Sequence, residues 1–288
     1  DVLRQQLDQF WQSIQEQVAL SGPVPTALMP DRLRCLILRP GHEYRELFSS
    51  KEEWYEFMVA NPGITDRGII ENFAISISRN GIRFFDKAIS ANDIELVDGD
   101  YRNSFVHQGL ASHTRAMIVE LLHILLARKV NPEEVRIYAP GARSGLAIIL
   151  TKHFSHVQSS ECFSSPEQQQ EFPDIEHQDL AALTYDDGSF NYVVIDDQFQ
   201  HASNLEKVLS EAYRVLTPGG VLLASFPFDI TRQEHTMMAT QNSDGSINYL
   251  VEPETQQNSA DEQEPVVFQI PGWDILNDCS NAGFARSR

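Results

Sequence analysis

Three side chains stand at spacings from which they could act together on a nucleoside. Glu161 lies about 20 residues beyond Gly141, the interval at which an acid closing the second strand of a βαβ unit reaches a ribose hydroxyl. A carboxylate there accepts two hydroxyl hydrogen bonds. Asp179 follows, an acceptor suited to an exocyclic amine, with Leu180 as an apolar neighbour for a base. His201 is the candidate general base, since an imidazole with a pKa near ~6.5 takes a hydroxyl proton at neutral pH. His235 is a second, weaker candidate. Gly141 and Gly145 let a backbone approach a ligand closely, and Asp196 with Asp197 closes a strand that would face the same crevice.

These residues need strand ends and loops to hold them. The chain supplies an apolar strand, Val135-Arg136-Ile137-Tyr138, then the turn Ala139-Pro140-Gly141-Ala142-Arg143-Ser144-Gly145 and an apolar helix from about Leu146. A strand, loop and helix amino end in that order present free backbone N–H groups to a polar or anionic ligand. A second strand ends at Ser159-Ser160-Glu161. His177-Gln178-Asp179-Leu180, a strand over 190–195, a helix over 203–216, the turn Thr217-Pro218-Gly219-Gly220 and a strand over 221–226 follow. Strands alternating with helices at this interval predict a parallel sheet covered on both faces. The fold class is therefore α/β, a Rossmann-like, mainly parallel sheet with an N-terminal α+β appendage.

The run DLAALTYDDGSFNYVVIDDQFQHASNLEKVLSEAYRVLTPGGVLLASFPF, residues 179–228, resembles the second half of a class I S-adenosylmethionine-dependent methyltransferase domain of the type 11 group. The resemblance is close over 133–228 and loose to 285, and its most specific piece is RVLTPGG with the strand after it. It implies S-adenosyl-L-methionine as cofactor and a small-molecule or sugar hydroxyl as acceptor. It also implies Gly141, Gly145, Glu161, Asp179, Leu180 and Asp196 at the cofactor, with His201 beside the acceptor. In the family the loop reads as an acid and then Gly-x-Gly-x-Gly; here Tyr138-Ala139-Pro140 stands in the acidic region and two glycines remain. The alternative is thus a catalytically inactive methyltransferase-fold domain that serves as a scaffold in a larger enzyme. A nicotinamide-dependent oxidoreductase would share the acid at 161 but lacks Gly-x-Gly-x-x-Gly.

Composition narrows the partners. Acidic residues outnumber basic ones 41 to 22, a net charge of −19, which repels phosphate backbones and anionic membranes. No nucleic-acid or membrane partner is expected, and the apolar helix over 117–127 is too short to cross a bilayer. Cys35, Cys162 and Cys279 form no C-x-x-C pair, so neither a zinc ribbon nor a disulfide framework is indicated, and a cytoplasmic location fits. His107 and His113 lack a third ligand for a metal. Residues 1–110 read as a helical and β-hairpin appendage and 111–288 as the Rossmann-like domain, with an inserted loop or hairpin at about 235–265. Leu3, Leu7, Phe10, Ile14 and Val18 make residues 1–20 an amphipathic helix suited to its own domain or to a neighbouring domain or subunit. Ser50 caps a helix over 50–59 with Glu53 in a capping box. Asn80-Gly81 between alternating segments predicts a hairpin. Ser112 starts a helix whose first turn places His113 and Arg115 near the cofactor in the resembled family. The ending shortly after Ala282-Gly283-Phe284, which there enters a further strand, predicts a piece of a longer polypeptide.

Overall fold

A computed structural model describes residues 47–61, 82–84, 87–95, 103, 106, 110–163, 165–252 and 265–287. The expectations for residues 1–20, for the strand before Asn80-Gly81 and for most of the 252–265 loop lie outside these. The described chain divides into two compact units, one of Glu52–Val135 with Ser144–His156, the other of Arg136–Arg143 with Val157–Arg288.

In the first unit, helix α1 (Lys51–Ala60) carries Trp54 and Phe57, whose rings lie 5.2 and 5.1 Å from that of Phe48. Strands β1 (Ile82–Phe84) and β2 (Lys87–Ile89) form a short antiparallel hairpin, so the segment after Asn80-Gly81 pairs with the chain that follows it. Helix α2 (Ser112–Ala127) buries Met117, Ile118, Leu121, Leu122 and Leu125, the i, i+3, i+4 series of one helical face. It packs against α3 (Gly145–His153), which buries Leu146, Ala147 and Leu150. Ser144 caps α3 by accepting the Ala147 N–H at 3.1 Å, satisfying one of the orphan donors at the helix start.

The second unit holds a sheet of β4 (His156–Gln158), β3 (Arg136–Tyr138), β7 (Phe190–Asp196) and β8 (Leu216–Ser225), in that spatial order. β3, β7 and β8 run parallel. On β7 the consecutive residues Tyr192, Val193, Val194 and Ile195 are all buried, as a strand covered on both faces requires. Beside this sheet, β5 (Ser160–Glu161) and β6 (Glu176–His177) form a second parallel pair, with the short helix α4 (Pro166–Glu171) between them. The parallel sheet with its helices defines an α/β, Rossmann-like architecture.

Helix α5 (Leu205–Val215) begins at Asn204, whose Oδ1 accepts the Lys207 N–H at 3.0 Å. It buries Leu205, Val208, Leu209, Ala212 and Val215 in the main core. Near its end Arg214 ties the helix to the loop ahead of β7. It donates to both Glu211 oxygens at 2.9 and 2.7 Å, to Asp187 at 2.8 Å and to the carbonyls of Tyr185 and Leu183 at 2.7 and 2.9 Å. The bond to Arg214 holds the Glu211 carboxyl below its ordinary range. Thr217-Pro218-Gly219-Gly220 bulges within the ladder, since Phe190 faces Leu216 while Tyr192 faces Val221. Gly219 takes a φ of +78°, which favours glycine.

The chain ends in a smaller annex. β9 (Thr236–Met237) pairs with β12 (Gln269–Ile270), and β10 (Ala239–Gln241) with β11 (Ile247–Tyr249) around a turn closed by Asn242 and Ser246, within the predicted insertion. Helix α6 (Ile275–Ala282) packs on α5 and stops at Gly283, with φ +113°. Among the described residues no helix is long and apolar enough to cross a membrane.

Replacing Arg214 by Met should cost about 2 kcal/mol, because the Glu211 carboxylate and two loop carbonyls lose a charged donor together. Denaturant unfolding should show the lower midpoint, and an unchanged midpoint would refute the tie.

Candidate cofactor site

The loop after β3 is tied to β5 by its own amides. Gly141 and Ala142 both donate to the Ser160 carbonyl, at 2.8 and 3.1 Å, and Arg143 N–H donates to Glu161 Oε1 at 3.0 Å. Gly141 sits at φ +80°, a conformation its lack of a Cβ permits. The sequence predicts free N–H groups here, and at these three amides the structure spends them internally. Buried or half-buried amides must find an acceptor, and a strand end alongside provides one. Gly145 is the first residue of α3, next to the capping Ser144.

Glu161 and Asp179 come together at adjacent parallel strand ends. Glu161 pairs with His177 in register, and the Gln178 N–H donates to the Glu161 carbonyl at 2.9 Å. Alternation along the strands sends Ser160 and Gln178 inward, 1% and 3% exposed, and leaves Glu161 and Asp179 on the other face. Both carboxylates act on the thiol of Cys162, which is raised from its ordinary value first by burial, then by Asp179 and by Glu161. Each acid keeps one oxygen without a protein partner among the described residues. Glu161 gives Oε1 to Arg143, and Asp179 gives Oδ1 to the Ala181 N–H at 2.8 Å. Leu180 packs on the main core. Asp196 ends β7 opposite Ser225, and Asp197 turns the chain with φ +53° and its N–H on the Ser225 carbonyl at 2.8 Å.

Tyr138 does not substitute for an acid. It is fully buried against Tyr185 and Phe190, with ring centroids 5.1 and 5.3 Å away, and its hydroxyl shares a 2.7 Å hydrogen bond with Ser160 Oγ. Burial pushes its pKa up, so it stays a neutral phenol. Tyr185 donates to Glu176 at 2.9 Å, and Glu176 also accepts the amides of Gln158 and Gln178, which completes a polar layer beneath the β5–β6 pair.

The candidate bases differ in which nitrogen is open. His201, half-buried in the turn after β7, has Nδ1 2.9 Å from the Val266 carbonyl. A carbonyl only accepts, so Nδ1 carries the proton and Nε2 keeps its lone pair. Nε2 has no protein partner among the described residues. His235 is different: Nδ1 accepts the Gly272 N–H at 3.1 Å, and Nε2 donates to Asp278 of α6 at 2.7 Å, so both nitrogens are spent. His113 lies 3.2 Å from the Thr114 hydroxyl, and Arg115 donates to the Leu110 carbonyl at 2.6 Å.

Arg143 was not among the predicted site residues. Its Nε lies 3.5 Å from Glu161 Oε1 and its guanidinium 4.7 Å over the Phe172 ring. The available signal was a charged residue midway between Gly141 and Gly145, where the resembled loop has glycine. Phe172 carried no signal, because nothing local relates it to the loop.

Residues 147–224 match the family model described as a methyltransferase domain. The match takes in most of α3, β7, α5 and most of β8, so over those residues the chain is similar to methyltransferase domains. No curated protein matches the chain in sequence. Among solved structures, the chain is similar to a candidate sarcosine dimethylglycine methyltransferase from Galdieria sulphuraria, at 22% identity and TM-score 0.33 over 41% of this chain. That alignment takes in 47% of the Galdieria protein, so the chain spans about half its length. It is also similar to an S-adenosylmethionine-dependent methyltransferase from Mesorhizobium loti, at 14% identity and TM-score 0.36, over 58% of this chain and 82% of that one. A third is the trans-methyltransferase CalH in complex with SAH, at 18% identity and TM-score 0.28, over 35% of this chain and 34% of that one. At these scores the likenesses carry no inference about substrate.

Removing a negative neighbour lowers a thiol pKa and raises its thiolate fraction at fixed pH, and the thiolate is the nucleophile. Glu161→Gln and Asp179→Asn should therefore each make Cys162 alkylate severalfold faster at a pH of about 8. Peptide mapping after timed iodoacetamide exposure reads this, and unchanged rates would mean that the two carboxylates do not meet at the thiol.

Proposed function

We propose that the protein is a methyltransferase that uses S-adenosyl-L-methionine on a small-molecule or sugar hydroxyl. The observation that carries this reading is the pair of open carboxylate oxygens, on Glu161 and Asp179, at neighbouring strand ends inside a matched methyltransferase domain. The donor set fits an adenosine: Glu161 for the ribose diol, Asp179 for the exocyclic amine, Leu180 along the base, and Gly141, Gly145 and Asp196 as the remaining cofactor contacts. When bound, the cofactor supplies an electrophilic methyl group on a sulfonium.

The protein's own part is positioning and proton removal. Holding the acceptor oxygen within about 3–3.5 Å of the methyl carbon accounts for much of the acceleration in such a displacement. His201 takes the hydroxyl proton on Nε2, while its Nδ1–H on the Val266 carbonyl fixes the tautomer and steadies the imidazolium that forms. The acidic balance of the chain disfavours nucleic-acid acceptors, and the lack of a paired cysteine motif fits a reducing, cytoplasmic setting.

A second reading has one observation in its favour. Three loop amides are already satisfied by Ser160 and Glu161, as in a domain that keeps the architecture as a scaffold without the cofactor. Titration calorimetry with S-adenosylhomocysteine separates the two. The enzyme reading expects a dissociation constant on the order of micromolar. It expects at least a tenfold loss, ~1.4 kcal/mol or more, with Glu161→Ala, and no change in affinity with His201→Gln. Absence of heat and of competition by S-adenosylmethionine would leave only the scaffold. Once an acceptor is in hand, His201→Gln should lower kcat by about 100-fold or more.

A further inference from the structure

In nucleoside-binding βαβ units, the acid closing the second strand holds the ribose, and the first loop faces the substituent on the ribose 5′ carbon. In the cofactor proposed above that substituent is an amino acid, with one ammonium and one carboxylate. Loop residues Ala139, Pro140, Gly141, Ala142 and Arg143 contain no acid and a single cation. Tyr138, which precedes them, is a buried neutral phenol committed to Ser160. The loop is thus equipped for the carboxylate and not for the ammonium.

Arg143 is held in place for this. Its amide fixes the backbone on Glu161 Oε1, its Nε lies 3.5 Å from the same oxygen, and its guanidinium stacks 4.7 Å above Phe172. These contacts involve the Nε edge and the Phe172 ring, and both Nη groups are left without a protein partner among the described residues. The side chain is 52% exposed, so a ligand can reach it. A guanidinium with both Nη groups open on one side is a fork that matches a planar anion. The Arg143–Glu161 contact is long and half in solvent, too weak to keep a ribose from Glu161, which still offers Oε2.

We propose that Arg143 is a specificity-determining residue that anchors the adenosyl ligand by its α-carboxylate, through the two Nη groups. The proposal rests on the cofactor reading above and adds a preference to it: thioadenosyl amino acids with a free carboxylate over nucleosides without one. The full chain is titrated with three ligands: S-adenosylhomocysteine; S-adenosyl-3-thiopropylamine, which keeps the ammonium and lacks the carboxylate; and 5′-methylthioadenosine, which lacks both. S-adenosylhomocysteine should bind roughly 10- to 100-fold more tightly than either of the others, the range for hydrogen bonds to charged groups.

Arg143→Met, which keeps an apolar stem over Phe172, should erase that preference while changing the 5′-methylthioadenosine affinity by less than about twofold, and Arg143→Lys should restore part of it. Matched unfolding curves for the variants exclude a folding defect. A preference that survives Arg143→Met, or a thiopropylamine that binds as tightly as S-adenosylhomocysteine, overturns the carboxylate anchor alone. Failure of all three ligands to bind the unaltered chain overturns the cofactor reading and the anchor together.

Discussion

A two-residue strand governs the candidate site. The Ser160 carbonyl and the Glu161 carboxylate accept three consecutive amides of the loop after β3, and those bonds determine what the loop can offer a ligand. Amides withdrawn from water need acceptors; once Ser160 and Glu161 supply them, the loop is rigid and its remaining polarity lies in one side chain, Arg143. The same strand sends the Ser160 hydroxyl inward to Tyr138. It therefore joins the polar rim of the sheet to the aromatic cluster of buried Tyr138 and Phe190 and half-buried Tyr185.

The rest of the second unit keeps the strand ends level. Arg214 joins α5 to the loop ahead of β7 through Glu211, Asp187 and two carbonyls, and the apolar face of α5 fills the core through Val208, Leu209 and Val215. Because Arg214 spans helix and loop, the element RVLTPGG acts mainly as a structural brace. The residues with open polar atoms lie elsewhere: Arg143 in the loop after β3, Glu161 and Asp179 beside β5 and β6, and His201 in the turn after β7.

Much of this is legible in the sequence. The alternation of apolar strands with helices gave the parallel arrangement of β3, β7 and β8, and the Asn204 and Ser112 helix starts fell within a residue or two of their predicted places. The 20-odd residues from Gly141 to Glu161 located the acid correctly beside the loop, since a βαβ crossover constrains that distance. The hairpin of Ala239–Gln241 with Ile247–Tyr249 lies within the loop or hairpin expected at about 235–265. Other features were hidden. Nothing in Gly141-Ala142-Arg143 reveals that its amides are taken by a strand end some twenty residues on. His201 and His235 look alike as sequence, yet one keeps an open nitrogen and the other spends both.

The order of residues by itself determined the α/β class and the placing of Glu161, Asp179 and His201 at strand and loop ends, because hydrophobic period, caps and crossover length act over short stretches of chain. Only the tertiary structure decided which polar atoms stay open. Those decisions fall to Ser160 against the loop, Val266 against His201 and Phe172 beneath Arg143. Each joins segments distant along the chain, and a hydrogen bond or stacked ring forms only where folding has brought its two partners within reach.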